Sequence, residues 1–382
     1  MIQIKAFEAG SGESFYLYFP KEKFNILIDG GFSGTYENFK PTLQEIEKRR
    51  EVLNLLIVTH MCRDHINGII KLLKENGSNE ESKIVEIKEI WFNTYFNSGK
   101  EKVGIDLPKD VANLLENYFP FSSDEGYIGD ISSGDLIELG TLILNGGYIA
   151  NTKPIQYETT PTIGRGNITF KILSPTEKIL EELEKEFVEK IPKNIKEIKD
   201  LYKYELSKYY ERFALSEDSQ ESPFIGDISI PTLEELANSP FEEDNRISNK
   251  SSIAFVIEYG GKKILFLGDS IPSVYIKSLE EHYSSLSNIT FDLVKLSHHG
   301  SKNNSSLVFF EEINSERFLI STNGNNHNHP DEETISRLII GHKKKTNILI
   351  NCKNENLNKF IENDEWTKKY NYSIEENSYI EI

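Results

Sequence analysis

A chain of 382 residues, 38% hydrophobic and 11% aromatic, can bury a sizeable core in one large domain or two ordinary ones. Its 43 basic and 61 acidic residues leave a net charge of −18, which argues against a tight, non-specific binder of long nucleic acid, because such binders meet phosphates with a basic excess. No apolar run approaches the roughly 18 residues that cross a bilayer, and Cys62 and Cys352 make no disulfide framework.

The first residues, Met1 to Lys5, open as a strand and lack the basic, apolar, small-residue order of a signal peptide, so a cytoplasmic protein is expected. Segments 2–8 and 14–19 read as strands around the turn Gly10-Ser11-Gly12. Segment 24–28 is the next strand and ends at Asp29-Gly30-Gly31, where the glycines allow close backbone approach. Asp29 is expected to order this loop and to bind no metal. Segment 41–52 reads as a helix with Pro41 early and Lys48-Arg49-Arg50 near its end. The apolar run 55–58 is a buried strand, and a helix follows from near Gly68 to about Gly77. Segment 84–93 contains a strand whose end, Trp91-Phe92-Asn93, is either core or close to a site. A helix is expected over 111–118, a turn and strand over 134–140, more strand over 141–144, and another strand over 167–173.

The texture changes from Thr176 to Asn245. Ile179, Leu180, Leu183, Phe187, Ile191, Ile195, Ile198, Leu201 and Tyr202 recur at helical spacing among Glu and Lys, and an acidic Ser- and Pro-containing loop follows from 216 to 245. Segment 176–245 therefore reads as an insertion within a single domain spanning 1–382: a lid, a partner surface or a solvated helical excursion. Strands resume over 251–257 and 263–267, a helix covers 276–283, and strands follow over 293–297 and 318–321. Ile348-Leu349-Ile350 reads as an edge strand near the end.

The chemistry concentrates at the ends of these strands. The run Thr59-His60-Met61-Cys62-Arg63-Asp64-His65 places His60, Cys62, Asp64 and His65 after an apolar strand. In an extended loop, His60, Cys62 and Asp64 point the same way. Imidazole, thiolate and carboxylate together suit zinc. Asp269, the pair His298-His299, and His327 and His329 follow three later strands. Each alone is more often a turn or surface residue. Their concentration at strand ends is harder to explain by structural need.

The order of these motifs carries a resemblance. Ala9 to Ser14, Ile28-Asp29-Gly30-Gly31, Thr59 to Gly68, Asn249-Lys250-Ser251-Ser252, Leu267-Gly268-Asp269, His298-His299-Gly300-Ser301 and His329-Pro330 together resemble the metallo-β-lactamase superfamily. Within it they are most similar to the metallo-β-lactamase-like domain of ComEC-type competence proteins. The match covers most of the chain outside the insertion; the membrane channel of those proteins has no counterpart here. The chain departs from the superfamily pattern at Cys62, where His or Asp is usual.

The resemblance implies an α/β (α+β) fold, a four-layer αββα sandwich, with two zinc ions, or manganese or iron in their place. It implies that Asp64, His65 and His329 hold one ion and that His60, Cys62 and one of the pair His298-His299, with His299 favoured, hold the other, with Asp269 between them. A shared water then attacks the substrate, Asp64 orients it or takes its proton, and His298 or His327 protonates the leaving group. The expected substrate is a small phosphodiester, a nucleotide or a nucleic acid. Ester, lactone or lactam hydrolysis on the same metals is the alternative, and a metal-stabilised binding module is the reading outside catalysis. A thiolate at position 62 favours zinc over manganese or magnesium. A protein partner for segment 176–245 is also expected, and no membrane.

Overall fold

A computed structural model of the chain describes residues 1–93, 133–190 and 231–382. Two sheets pack face to face. The first contains β1 (Gln3–Ala6), β2 (Phe15–Phe19), β3 (Phe24–Ile28), β4 (Leu55–Val58) and β5 (Ile90–Phe92), with β16 (Tyr379–Glu381) beside β1. The second runs in the order β15-β14-β13-β11-β9-β8-β7-β6: β6 (Thr162–Arg165), β7 (Ile168–Ser174), β8 (Ala254–Tyr259), β9 (Lys262–Phe266), β11 (Leu293–Lys295), β13 (Arg317–Ile320), β14 (Thr346–Ile350) and β15 (Tyr372–Glu376). The short β10 (Thr290–Phe291) and β12 (Asn314–Ser315) pair separately.

Strand side chains alternate between two buried faces, which is why the strands read as continuous apolar runs. Leu55 and Ile57 of β4 meet Phe255, Phe266 and Leu293 between the sheets, while Leu56 and Val58 face a helical layer. That layer contains α1 (Thr35–Lys48), α2 (Arg63–Asn76) and α3 (Ser133–Asn145). Further helices are α4 (Glu177–Lys190), α5 (Leu233–Ala237), α6 (Ile247–Lys250), α7 (Pro272–Tyr283), α8 (Leu307–Glu312) and α9 (Glu332–Gly341). Tyr275, Phe309, Ile335 and Leu338 from α7, α8 and α9 cover the outer face of the second sheet, on Val294, Phe318 and Ile348. The result is the four-layer αββα sandwich expected for the fold.

Several local expectations change. Residues 133–145 form a helix where a turn and strand were expected, because Leu139, Leu142 and Ile143 share one face and pack into the first helical core. The pairs Arg63–Asp135 at 2.8 Å and Lys74–Glu138 tie α3 to α2. α1 starts at Thr35, so Pro41 lies inside it and Tyr36, Phe39, Leu43 and Ile46 form its buried face. α2 starts at Arg63 and not near Gly68. Trp91 is fully buried between the sheets, its ring 4.8 Å from that of Phe170, and is core. β14 is not an edge strand, because β15 pairs beyond it. α4 begins the expected amphipathic run, with Ile179 and Leu183 in the first core. Its continuation from Ile191 and the helix expected over 111–118 lie outside the described residues.

The parallel strands β3 and β4 of one sheet, and β9, β11 and β13 of the other, share a direction within each sheet. Their carboxyl ends deliver Asp29, Thr59-His60, Asp269, His298-His299 and Ser321 to the site. Gly68 makes this closure possible. A Cβ there would lie 1.9 Å from the Gly30 carbonyl oxygen, so only glycine lets α2 dock on the β3 end, where Gly68 N–H donates to Gly31 O at 3.0 Å.

Candidate metal centre

The first half of the site grows from β4 and the start of α2. Cys62 has extended geometry and caps α2, so the chain turns helical at Arg63. The two-residue alternation that would align His60, Cys62 and Asp64 therefore stops at Cys62. Asp64 and His65 instead occupy the first helical turn. Asp29, in the left-handed region at φ 55°, binds the loop at three points: Thr59 N–H (2.8 Å), Thr59 Oγ1 (2.7 Å) and His65 Nδ1 (2.8 Å). Histidines that hold metals usually donate their second nitrogen to such an oxygen. His65 does so through Asp29, and His60 Nδ1 lies 3.2 Å from Thr59 Oγ1.

The second half comes from β9, β11 and β13. Asp269 follows Gly268, and its N–H donates to Ser252 Oγ at 3.0 Å. His298, His299 and Gly300 pass through positive φ (45°, 54° and 86°), which sends the two neighbouring rings to different partners. His299 Nδ1 lies 2.9 Å from the Ser321 carbonyl, and its Nε2 lies 3.2 Å from Asp64 Oδ2. His298 Nδ1 lies 2.9 Å from Asn304 Oδ1 and 3.4 Å from Asp244 Oδ2.

Two trios of donors result, each with all its donor atoms within 4.8 Å of one another: His60, His65 and Asp269, and Asp64, His65 and His299. His65 Nε2 is 3.6 Å from Asp269 Oδ1 and 3.7 Å from Asp64 Oδ2, and His60 Nε2 is 3.5 Å from Asp269 Oδ2. Glu13 completes two further groups, with Asp269 and His299 and with Asp29 and His65. His60 Nε2, His65 Nε2 and Asp269 Oδ1 are buried with no hydrogen-bond partner. Unpaired buried polar atoms are costly and uncommon, and three that converge fit divalent cations.

Other expected ligands lie elsewhere. Cys62 is not in any of these donor groups; its Sγ is 3.8 Å from Asn249 Oδ1. His329 is also outside them, with its ring 5.3 Å from that of His298 and 6.5 Å from that of His299. Its Nδ1 is buried without a hydrogen bond, 3.4 Å from Asp331 Oδ2. His327 stacks 6.1 Å from His329.

Charge follows the same geometry. Burial lowers the His60 imidazole to about 4, helped by neighbouring His65. Burial would lower His65 as well, but Asp269, Asp64 and Asp29 outweigh it and raise this imidazole to about 10. Against burial, histidines hold Asp64 and Asp269 below the usual carboxylate range. Asp29, Asp64 and Asp269 thus gather negative charge around His65, and a bound cation could take the place of its proton.

Sequence reasoning did not pick out Glu13, Lys295, Asp244, Arg246 or Asn304. Lys295 sits on the inner face of β11 and pairs with Glu13, both fully buried. Glu13 Oε1 is 3.2 Å from His299 Nδ1, and Lys295 Nζ donates to Gly268 O at 3.2 Å. A lysine within the apolar run Leu293 to Leu296 was the available signal. Asp244 and Arg246 sit in an acidic loop and carried none.

No family model matches the chain. Exodeoxyribonuclease WalJ of Streptococcus pneumoniae, in strains D39 and R6, is 39% identical over 67 residues, which are 18% of this chain and 23% of that protein. The chain therefore matches less than a quarter of the length of the curated relatives. Among solved structures, CmlA, a diiron β-hydroxylase from Streptomyces venezuelae, is similar over 91% of this chain and 44% of its own, with TM-score 0.31 and 10% identity. A Cronobacter sakazakii metallo-β-lactamase with an HARLDQ motif is similar over 78% of each chain, with TM-score 0.30 and 11% identity. These structural likenesses are too distant to transfer residues or activity. Among the described residues, no helix is long and apolar enough to cross a membrane.

Proposed function

We propose that the protein is a metal-dependent hydrolase that cleaves phosphodiesters, nucleotides or nucleic acid among them, with two zinc ions. The observation that carries this reading is the convergence of unpaired buried donors from His60, His65 and Asp269, with Asp64 and His299 alongside. Asp269 is suited to lie between two ions, since Oδ1 faces His65 while Oδ2 faces His60. When bound, such ions supply an activated water at neutral pH and stabilise the attacking and leaving oxygens. Asp64 is the more exposed of the two acidic donors, with 25% of its side chain accessible, and is placed to orient that water and receive its proton. His298 is the acid for the leaving oxygen. Without Cys62 among the donors, imidazole and carboxylate alone also suit manganese or iron.

The short stretch shared with an exodeoxyribonuclease supports the phosphodiester over other bonds. The net charge of −18 favours a small or single-stranded substrate over long duplex DNA. Cys62 and Cys352 form no disulfide with each other, which suits a reducing compartment such as the cytoplasm. In this reading the whole chain works as one domain, with segment 176–245 inserted as a lid or partner surface.

The test is metal content of the purified protein together with hydrolysis of bis(p-nitrophenyl) phosphate under added zinc or manganese. Two ions per chain, and turnover that disappears in Asp269→Ala, are expected. No bound metal and no turnover with any metal would replace the hydrolase by a binding module.

A further inference from the structure

Asn304 stands in the loop that follows the pair His298-His299, and its side chain is fully buried. The amide meets three groups of the site. Oδ1 lies 2.9 Å from His298 Nδ1, while Nδ2 lies 3.0 Å from the Asp269 carbonyl and 3.4 Å from Asp244 Oδ2. A carbonyl can only accept, so the amide nitrogen is the atom that faces Asp269. Oδ1 then faces His298, which donates to it from Nδ1. The other imidazole nitrogen, Nε2, is left facing Asp269 Oδ2 at 3.8 Å. One amide thus fixes the ring of one site residue and the main chain of another.

The loop around Asn304 is held from several elements. Tyr275 of α7 donates its hydroxyl to Asn304 O at 3.0 Å. Arg337 of α9 is buried and donates to the carbonyls of Lys302 (2.7 Å) and Ser305 (3.2 Å), on either side of Asn304. The same guanidinium reaches Ser239 Oγ at 3.1 Å. Further along the same segment, Asp244 N–H donates to Asn303 O at 3.0 Å, and Asp244 Oδ2 accepts from Asn249 Nδ2 at 2.7 Å. The end of segment 176–245 is therefore packed on the loop that carries Asn304.

Resting on the metal reading above, we propose that Asn304 is a positioning residue of the centre. Held by Asp244, it sets the ring of His298 and the main chain of Asp269, and through them the arrangement of the donors that receive the cations. It holds no cation itself, since Oδ1 is taken by His298 and Nδ2 by Asp269. Aspartate could not donate to the Asp269 carbonyl, and leucine of similar shape could neither donate nor accept. The competing account is an asparagine that only anchors its loop.

The experiment titrates metal-free wild type, Asn304→Ala and Tyr275→Phe with cobalt(II), whose visible absorption bands follow the arrangement of its donors. The bound ion is then competed off with a chelating dye. Asn304→Ala is expected to change the position and intensity of the bands and to weaken binding by about tenfold or more. Tyr275→Phe releases the loop but keeps the amide, so a lower melting temperature with unaltered bands and affinity is expected. Wild-type bands and affinity in Asn304→Ala would overturn the proposal. So would an equal change in Tyr275→Phe, which would make Asn304 a loop anchor only. If Asn304→Ala does not fold, Asn304→Asp takes its place: it keeps the shape and accepts from His298 but cannot donate to Asp269, and its bands should again differ from the wild type. A wild type that binds neither cobalt nor zinc would instead defeat the metal reading, and this proposal with it.

Discussion

In the half of the site built on the first sheet, Asp29 binds Thr59 twice and His65 once, and every partner lies within 36 residues. The half built on the second sheet has a local keystone as well, Asn304, which meets His298 Nδ1 at 2.9 Å and donates to the Asp269 carbonyl at 3.0 Å, but it also takes a brace from the opposite sheet. His299 rests on the Ser321 carbonyl and beside Glu13 from the opposite sheet, and Lys295 connects Glu13 to the Gly268 carbonyl next to Asp269. Both halves present imidazoles with the second nitrogen held, but the first is assembled along the chain alone, whereas the second adds a buried ion pair across the sandwich. Damage to the inter-sheet brace should therefore disturb the whole fold, whereas damage to Asp29 should act mainly on metal binding.

The largest effect is expected from Lys295→Met, which leaves Glu13 as a buried, unpaired carboxylate. Removing one partner of a buried pair costs about 3–5 kcal/mol, and chemical denaturation should show it. The double variant Lys295→Met with Glu13→Gln should recover much of that stability, since no charge remains unpaired. If the single variant were as stable as the wild type, the pair would not brace the sheets. Next in size is Asp29→Ala. Loss of the anchor for Thr59 and His65 should lower metal affinity by about tenfold to a hundredfold, read by competition with a chelating dye. An equal loss of metal affinity in Lys295→Met would erase the contrast between the two halves.

A smaller effect lies away from the site, behind the second sheet. His342 follows α9, with Nδ1 2.7 Å from Thr346 Oγ1 and its ring 5.1 Å from that of Phe318. Burial, reinforced by Lys344, lowers this imidazole from 6.5 to about 4. The unfolded chain then binds the extra proton between those values, so the contribution is complete above about pH 6.5 and is lost as pH falls towards 4. Melting temperatures from pH 7 to 4.5 should decline less steeply in His342→Gln. Parallel curves would remove His342 from the acid response. The smallest change is expected from Cys62→Ser. Its sulfur faces Asn249 outside the donor groups, so metal stoichiometry should stay the same. Loss of one ion per chain would return the thiolate to the site and extend the first half beyond Asp29.

Much of the fold was legible because strands buried on both faces leave continuous apolar runs, as in β4, β9 and β11. The acidic and imidazole residues just beyond those runs were legible for the same reason. Residues 133–145 were misread because their apolar positions satisfy more than one short pattern, and packing on α2 selects the helix. The extended spacing of His60, Cys62 and Asp64 failed because α2 starts at Arg63, where docking of Gly68 on Gly30 requires the helix to be close.

By itself, the sequence determined most of the order of strands and helices through local periodicity, and it placed His60, Asp269, His298 and His299 just beyond strands, with Asp64 and His65 close behind His60. Tertiary structure alone decided which of these meet. His299 reaches Asp64 across 235 residues, and Glu13 meets Lys295 only because two sheets stack. Spacing along a chain encodes which face a side chain takes. It does not encode which distant strand end lies opposite, and at this site the pairing of donors is set by that opposition.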